Sequence, residues 1–134
     1  MRYEIQTKDA PAAVGPFIQG TWGNGNAFTS GQLPIDPKTG TMPEDIKAQA
    51  RIALQNIEAI LNAGNSNLAN AAKVTIFLVD MADLPAVIEV FSEFFSKVKP
   101  FPTPSIFPAL SVVQVAGLRK PGAKLEIEAI GLLK

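Results

Sequence analysis

The chain contains no cysteine. That excludes disulfides, thiol nucleophiles and zinc–thiolate sites. It contains no histidine either, so the commonest general base at neutral pH and the commonest metal ligand are both missing. Any proton chemistry has to use carboxylates, lysine, tyrosine, backbone groups or water. Charge is scarce: Asp, Glu, Lys and Arg make up 18% of the residues, against roughly 25% in typical soluble proteins. The 12 basic and 12 acidic side chains cancel, which leaves no net field to draw in nucleic acid or an anionic membrane. No apolar run approaches the ~18 residues that span a bilayer. The opening MRYEIQTKDA lacks the apolar core of a signal peptide, so a cytoplasmic protein is expected. Repeats, linkers and low-complexity tracts are absent.

What is present is 134 residues, 47% of them apolar, enough for one domain over residues 1–134 with a real core. Arg2–Thr7 alternates as a short strand does. Phe17–Trp22 and Ala27–Gln32 read as two strands around Gly23-Asn24-Gly25-Asn26, a strong hairpin signal because Asn and Gly tolerate positive φ. A first helix is expected from about Pro43 to Ala63, with proline, Glu44 and Asp45 in its first turn and Gly64 ending it. Ile46, Ala50, Ala53, Ile57, Ile60 and Leu61 form its apolar stripe. Lys73–Val79 is a nearly continuous apolar run and reads as a buried central strand.

A second helix follows to about Val98, with Asp83 as N-cap and Pro85 behind it. Val87, Val90, Phe91, Phe94 and Phe95 keep helical spacing on it. Lys99–Pro108 holds four prolines in ten residues and cannot form a helix or a central strand. Ser111–Leu118 and Lys124–Leu133 are the last strands, joined by a Lys-Pro-Gly turn. Trp22 reads as a packing residue. Strands interleaved with two helices predict an α+β fold: a mixed β-sheet with both helices on one face.

Few residues could carry chemistry. Glu126 and Glu128 lie on one face of the last strand with Ile130 and Leu132, their Cα atoms roughly 6.6 Å apart. Either that face is solvated or paired with lysine, or a carboxylate sits in a partly apolar cleft, where desolvation raises its pKa and fits it for proton transfer or water positioning. Ser30-Gly31 ends a strand. A glycine there permits close backbone approach to a ligand, or marks a simple bulge. No phosphate loop, metal cluster or basic stripe is present.

Several segments together resemble a known family. Ala10-Pro11-Ala12-Ala13-Val14-Gly15-Pro16, Thr29-Ser30-Gly31-Gln32-Leu33-Pro34 with Asp36-Pro37-Lys38-Thr39-Gly40, Ala53–Ala63, Lys73–Asp83, Val90–Phe95 and Glu126–Ile130 follow, in order, the signatures of the reactive-intermediate deaminase (Rid, or YjgF) family. The resemblance runs from about residue 8 to residue 131. It implies a chorismate mutase-like fold and a homotrimer around a barrel-like centre, with three small-molecule clefts between neighbouring subunits. It also implies hydrolysis of 2-imino and enamine acids to 2-keto acids and ammonia, without metal or organic cofactor. In the family an arginine binds the substrate carboxylate, and a glutamate with backbone groups holds the attacking water. Some relatives carry older labels, translation inhibitor or endoribonuclease.

Ser30, Gly31 and Glu126 match the family's site, and the departures are informative. In Phe107-Pro108-Ala109-Leu110-Ser111-Val112-Val113-Gln114-Val115-Ala116 the arginine position is Leu110, and the position two beyond it, often Cys or another small residue, is Val112. The family's cleft tyrosine is Phe17, and its second-helix asparagine is Ile88. About five residues are inserted within Phe101–Pro108. Leucine for arginine deletes a bidentate carboxylate clamp. The changes together predict a largely apolar cleft with one carboxylate left, suited to a neutral or less charged ligand. The resemblance leaves open whether Arg119, or Lys120 beside it, takes the arginine's place. Two readings follow: a Rid-type hydrolase with weakened or altered activity, or a trimer that binds a small ligand without turnover. Cleavage of RNA is disfavoured by the missing histidine and the zero net charge.

Overall fold

The structure is a computed structural model that describes residues 1–97 and 107–134. Its elements are strands β1 (Tyr3–Ile5), β2 (Gly20–Gly23) and β3 (Asn26–Thr29), helix α1 (Ile46–Ala63), strand β4 (Ala71–Leu78), helix α2 (Leu84–Ser96), and strands β5 (Ala109–Gln114) and β6 (Leu125–Leu132). They form one six-stranded sheet in the order β1-β2-β3-β6-β4-β5. Among the described residues only β4 and β5 run parallel, and α2 lies between them in the chain. The expected α+β architecture, a mixed sheet with two helices on one face, is what forms.

Local chemistry explains most of the boundaries. Gly23 pairs with Asn26, so Asn24 and Gly25 make a two-residue turn, and both have positive φ (50° and 86°). That is the turn whose twist matches the strands it joins. Helix α1 begins three residues later than Pro43. Asp45 is its N-cap, its carboxylate accepting from Ala48 N–H at 3.0 Å, and Pro43 and Glu44 stay outside the helix. Gly64 does end α1, its N–H donating to the Ile60 and Leu61 carbonyls. Asp83 does occupy the N-cap position of α2, with Pro85 in the first turn, but its side chain makes no capping hydrogen bond. Asp80 caps the 3-10 turn Met81–Asp83 just before it, accepting from Ala82 N–H. Helix α2 ends at Ser96. The proline-rich segment and its inserted residues lie largely outside the described residues.

The core lies between the sheet and the helices. Leu54, Ile57, Ile60 and Leu61 of α1 and Val87, Val90 and Phe95 of α2 are fully buried against Val74, Ile76, Leu78, Leu125 and Ile127. Each such side chain contributes about 1.5–3 kcal/mol relative to exposure. Trp22 packs against this core and stacks on Tyr3, ring centroids 4.6 Å apart. Strand β4 is central but not buried on both faces. Val74, Ile76 and Leu78 are buried, whereas Lys73, Thr75 and Phe77 on the other face are half-exposed. Strand β6 alternates the same way, with Leu125, Ile127 and Ala129 inward and Glu126, Glu128, Ile130 and Leu132 outward. The outward face carries Phe28, Val113 and Leu132, 42–50% exposed.

Candidate functional site

A cavity of about 190 Å³ opens beside the β2–β3 end of the sheet. Phe17, Ser30, Gly31, Gln32 and Arg119 line it, together with the 11–14 loop, Leu33 and Ile35. Its size is below the 300–1,000 Å³ usual for drug-sized ligands, so it suits a small metabolite. Most of the wall is loop, whose backbone groups have no ladder to pair in and must find partners elsewhere.

Three buried side-chain amides supply them. Gln19 accepts from Thr7 N–H at 2.7 Å and donates to the carbonyls of Thr7, Ala10 and Pro11. Asn56 donates from α1 to the Leu33 and Ile35 carbonyls. Gln49, fully buried, donates to the Pro43 and Gly122 carbonyls at 2.8 and 2.9 Å and accepts from Lys124 N–H at 2.8 Å. Gln49 thereby ties the loop that follows Arg119 to the helix. These amides were not anticipated from the sequence. The one available signal is that Gln49 and Asn56 interrupt the apolar stripe of α1 at positions that periodicity assigns to the core.

Glu126 reaches the same place from β6. A Cβ on Gly31 would lie 2.5 Å from Glu126 Oε2, so the glycine is what lets the carboxylate sit against the backbone there. In the sheet Glu126 stands opposite Phe77, and Phe77 beside Val113. Burial in these surroundings pushes the Glu126 carboxyl above its usual range. The Arg119 guanidinium pulls it back, and Glu128 adds a smaller push upward. Glu128 itself is exposed. The ion pairs among the described residues are Lys47–Glu89 and Arg51–Glu93, between the helices, so Glu126 is not held by one. The solvated or lysine-paired alternative thus fits Glu128, and the half-buried cleft carboxylate fits Glu126.

Ser30 donates from Oγ to the Ile18 carbonyl at 2.6 Å, and its N–H donates to the Gln19 carbonyl. The hydroxyl proton is committed to that carbonyl, so Oγ can meet a ligand only as an acceptor. The Gly31 N–H has no acceptor among the described residues.

Arg119 changes the expected character of the cavity. Its guanidinium carbon lies 5.3 Å from the centre of the Phe17 ring, a cation–π contact that at an exposed site contributes about 0.5–1 kcal/mol. The expectation of an apolar cleft with one carboxylate is therefore corrected: the wall also carries a cation. Lys120 is not among the lining residues.

The other predicted site residues are elsewhere in the chain. Leu110 and Val112 are half-buried on the helix-side face of β5 and pack against the core, and Ile88 is half-buried on α2. None of the three lines the cavity. Leu110 stands beside Val74, at the opposite end of β5 from Val113, the residue in register with Phe77 and Glu126.

These features define a class: an α+β domain whose mixed sheet sets a glutamate against the glycine of a small, loop-walled cavity. The family model described as Endoribonuclease L-PSP matches residues 7–133, and the chain belongs to that family, the one that includes the reactive-intermediate deaminases. It is 42% identical over 132 residues to the 2-iminobutanoate/2-iminopropanoate deaminase of Salmonella typhimurium, covering 98% of each chain. Among solved structures it is similar to the YjgF gene product of E. coli, with a TM-score of 0.88, 40% identity and 98% of each chain covered. The structure of E. coli TdcF with bound serine matches equally well, at a TM-score of 0.88, 40% identity and 98% of each chain.

Proposed function

We propose that this chain is a hydrolase of small imines or enamines, acting in a cleft between subunits of a homotrimer. The observation that carries the reading is Glu126, held against Gly31, a residue of the small cavity's wall, its carboxyl pushed up by burial. In the reaction water adds to the imine carbon while the Glu126 carboxylate accepts its proton. That proton passes to nitrogen to give the carbinolamine, and the hydroxyl proton then follows it through the same carboxylate as the C–N bond breaks, so imine plus water becomes carbonyl compound plus ammonia. A carboxylate with a raised pKa suits both proton transfers.

Two observations support assembly. The outward sheet face leaves Phe28, Val113 and Leu132 exposed. The site residues also fall into two separate groups within one chain, as they would if neighbouring subunits contributed different halves. Light scattering should give three times the chain mass, and a monomer at micromolar concentration would overturn the cleft.

The loss of arginine at Leu110 predicts lower activity on 2-imino acids than in arginine-bearing relatives. A charged hydrogen bond contributes about 1.5–3 kcal/mol, so the expected loss is about 10- to 200-fold. The test is ammonia release from 2-iminobutanoate generated in situ, beside the Salmonella relative. No release above the uncatalysed rate would favour a binding protein without turnover. A rate equal to the relative's would remove the significance of Leu110.

A further inference from the structure

We propose that Arg119 is this protein's own anchor for a ligand carboxylate, so that the cavity takes small organic anions through a cation on the β5–β6 loop. The inference rests on the reading of the cavity as the ligand site but not on turnover.

Three observations lead to it. Arg119 lines the same cavity as Ser30 and Gly31. Its guanidinium lies over the Phe17 ring, and an aromatic face holds a planar cation without consuming its N–H donors. Those donors meet no acceptor among the described residues: the ion pairs there are the two on the helices, and Arg119 takes part in none of the side-chain hydrogen bonds. An arginine offers five N–H groups in a fixed fork that matches a carboxylate.

Glu126 does not already satisfy the cation. It is near enough for Arg119 to draw its carboxyl downward, yet burial wins and the carboxyl stays raised. A tight internal pair would have lowered it. The loop carrying Arg119 is also held in place. Gln49 clamps the Gly122 carbonyl and the Lys124 N–H three and five residues further on, which limits the entropy lost when an anion binds. The cavity wall therefore carries a cation, and the partly desolvated Glu126 carboxylate, set against Gly31 of that wall, lies near enough to feel its charge. That polarity fits a short carboxylic acid whose reacting carbon sits between the two.

The measurement is calorimetric binding of 2-oxobutanoate and of its uncharged analogue 2-oxobutanamide to the intact protein, with the KM for 2-iminobutanoate as a second readout. The wild type should prefer the acid. Arg119→Gln should weaken acid binding at least 10-fold and change amide binding less than 2-fold, and it should raise KM far more than it lowers kcat. Arg119→Lys should recover part of the acid binding. Melting curves confirm that each variant is folded, which an exposed side chain leads one to expect.

Equal loss of acid and amide in Arg119→Gln would mean that the residue only shapes the cavity, and the anchor would be wrong. Unchanged acid binding, or a wild type that binds neither compound, overturns it as well. The two proposals fail differently. Arg119-dependent acid binding without ammonia release sinks the hydrolase and keeps the anchor, whereas hydrolysis with an unaltered KM in Arg119→Gln does the reverse.

Discussion

The cavity beside β2–β3 and the β5–α2 side of the sheet are held together by different forces. The cavity wall is loop, pinned by hydrogen bonds from Gln19, Gln49 and Asn56, and it holds Ser30 and Gly31, with Glu126 against the glycine, the three residues expected to match the family's site. The β5–α2 side is apolar packing, with Leu110 and Val112 against the core and Phe91 tilted against Phe95 and stacked on Phe107. Leu110, Val112 and Ile88, three of the four departures, fall there. Hydrogen bonds specify a backbone position, and losing one leaves a buried partner unsatisfied. Apolar contacts tolerate exchange if volume is kept. The pinned region therefore holds the residues expected to match the family's site, and the packed region holds three of those expected to depart from it. Phe17 is the exception, a departure inside the cavity, and it is the residue over which Arg119 lies.

The comparison can be broken most directly at Glu126. Glu126→Gln should lower kcat for imine hydrolysis by about 100-fold or more, the usual contribution of a positioned base. In the wild type, activity should fall with acidification, its midpoint above the ordinary glutamate value of 4.5. The folded state, with its raised pKa, binds the proton more tightly than the unfolded chain. Wild-type stability is thus fully present below pH 4.5 and declines as pH rises through the folded-state pKa. The melting temperature of Glu126→Gln should match or exceed the wild type at pH 7, and that advantage should vanish near pH 4. A loss of stability at pH 7 would assign Glu126 a structural role.

The pinning amides come next. Gln49→Ala should destabilise the fold by about 3 kcal/mol in denaturant unfolding, because two carbonyls and one N–H lose their partner in a buried place. It should also raise KM, since the Arg119 loop is freed. On the packed side Val112→Ala should cost about 1 kcal/mol and leave the cavity of its own chain unaltered. If the two variants were equally damaging, the distinction between the regions would fail.

Gly31→Ala should lower kcat about 10-fold with the fold retained, because the new methyl displaces the Glu126 carboxylate and misplacement of a catalytic group by even 1 Å is costly. The smallest effect belongs to Phe17→Leu. It removes the face under Arg119 and should weaken 2-oxobutanoate binding about 2- to 5-fold, the equivalent of 0.5–1 kcal/mol.

Sequence alone determined the main elements and, for α1 and β6, the faces they bury. The period-3.6 stripe of α1 and the alternation in β6 report on a core that lies on one side of each element, so the burial of Ile57 and Ile127 and the outward turn of Glu126 were all legible. So was the Asn24-Gly25 turn, because the chemistry of positive φ is local. Ordered motifs were enough for the resemblance, and they pointed to Ser30, Gly31 and Glu126 as a group, of which the structure sets Glu126 against Gly31.

Boundaries were less legible: Asp45 caps α1 and leaves Pro43 and Glu44 outside it, and Asp83 holds the N-cap position of α2 without a capping hydrogen bond. Only the tertiary structure decided what the cavity contains. Arg119 meets Phe17 across about a hundred residues of chain, and Gln49 meets Gly122 and Lys124 across 73 and 75 positions. Loops carry no periodicity from which such meetings can be read. Arg119 and Lys120 are neighbours of like charge in the sequence, and the packing of one loop onto one helix is what sets the first, and not the second, in the wall of the site.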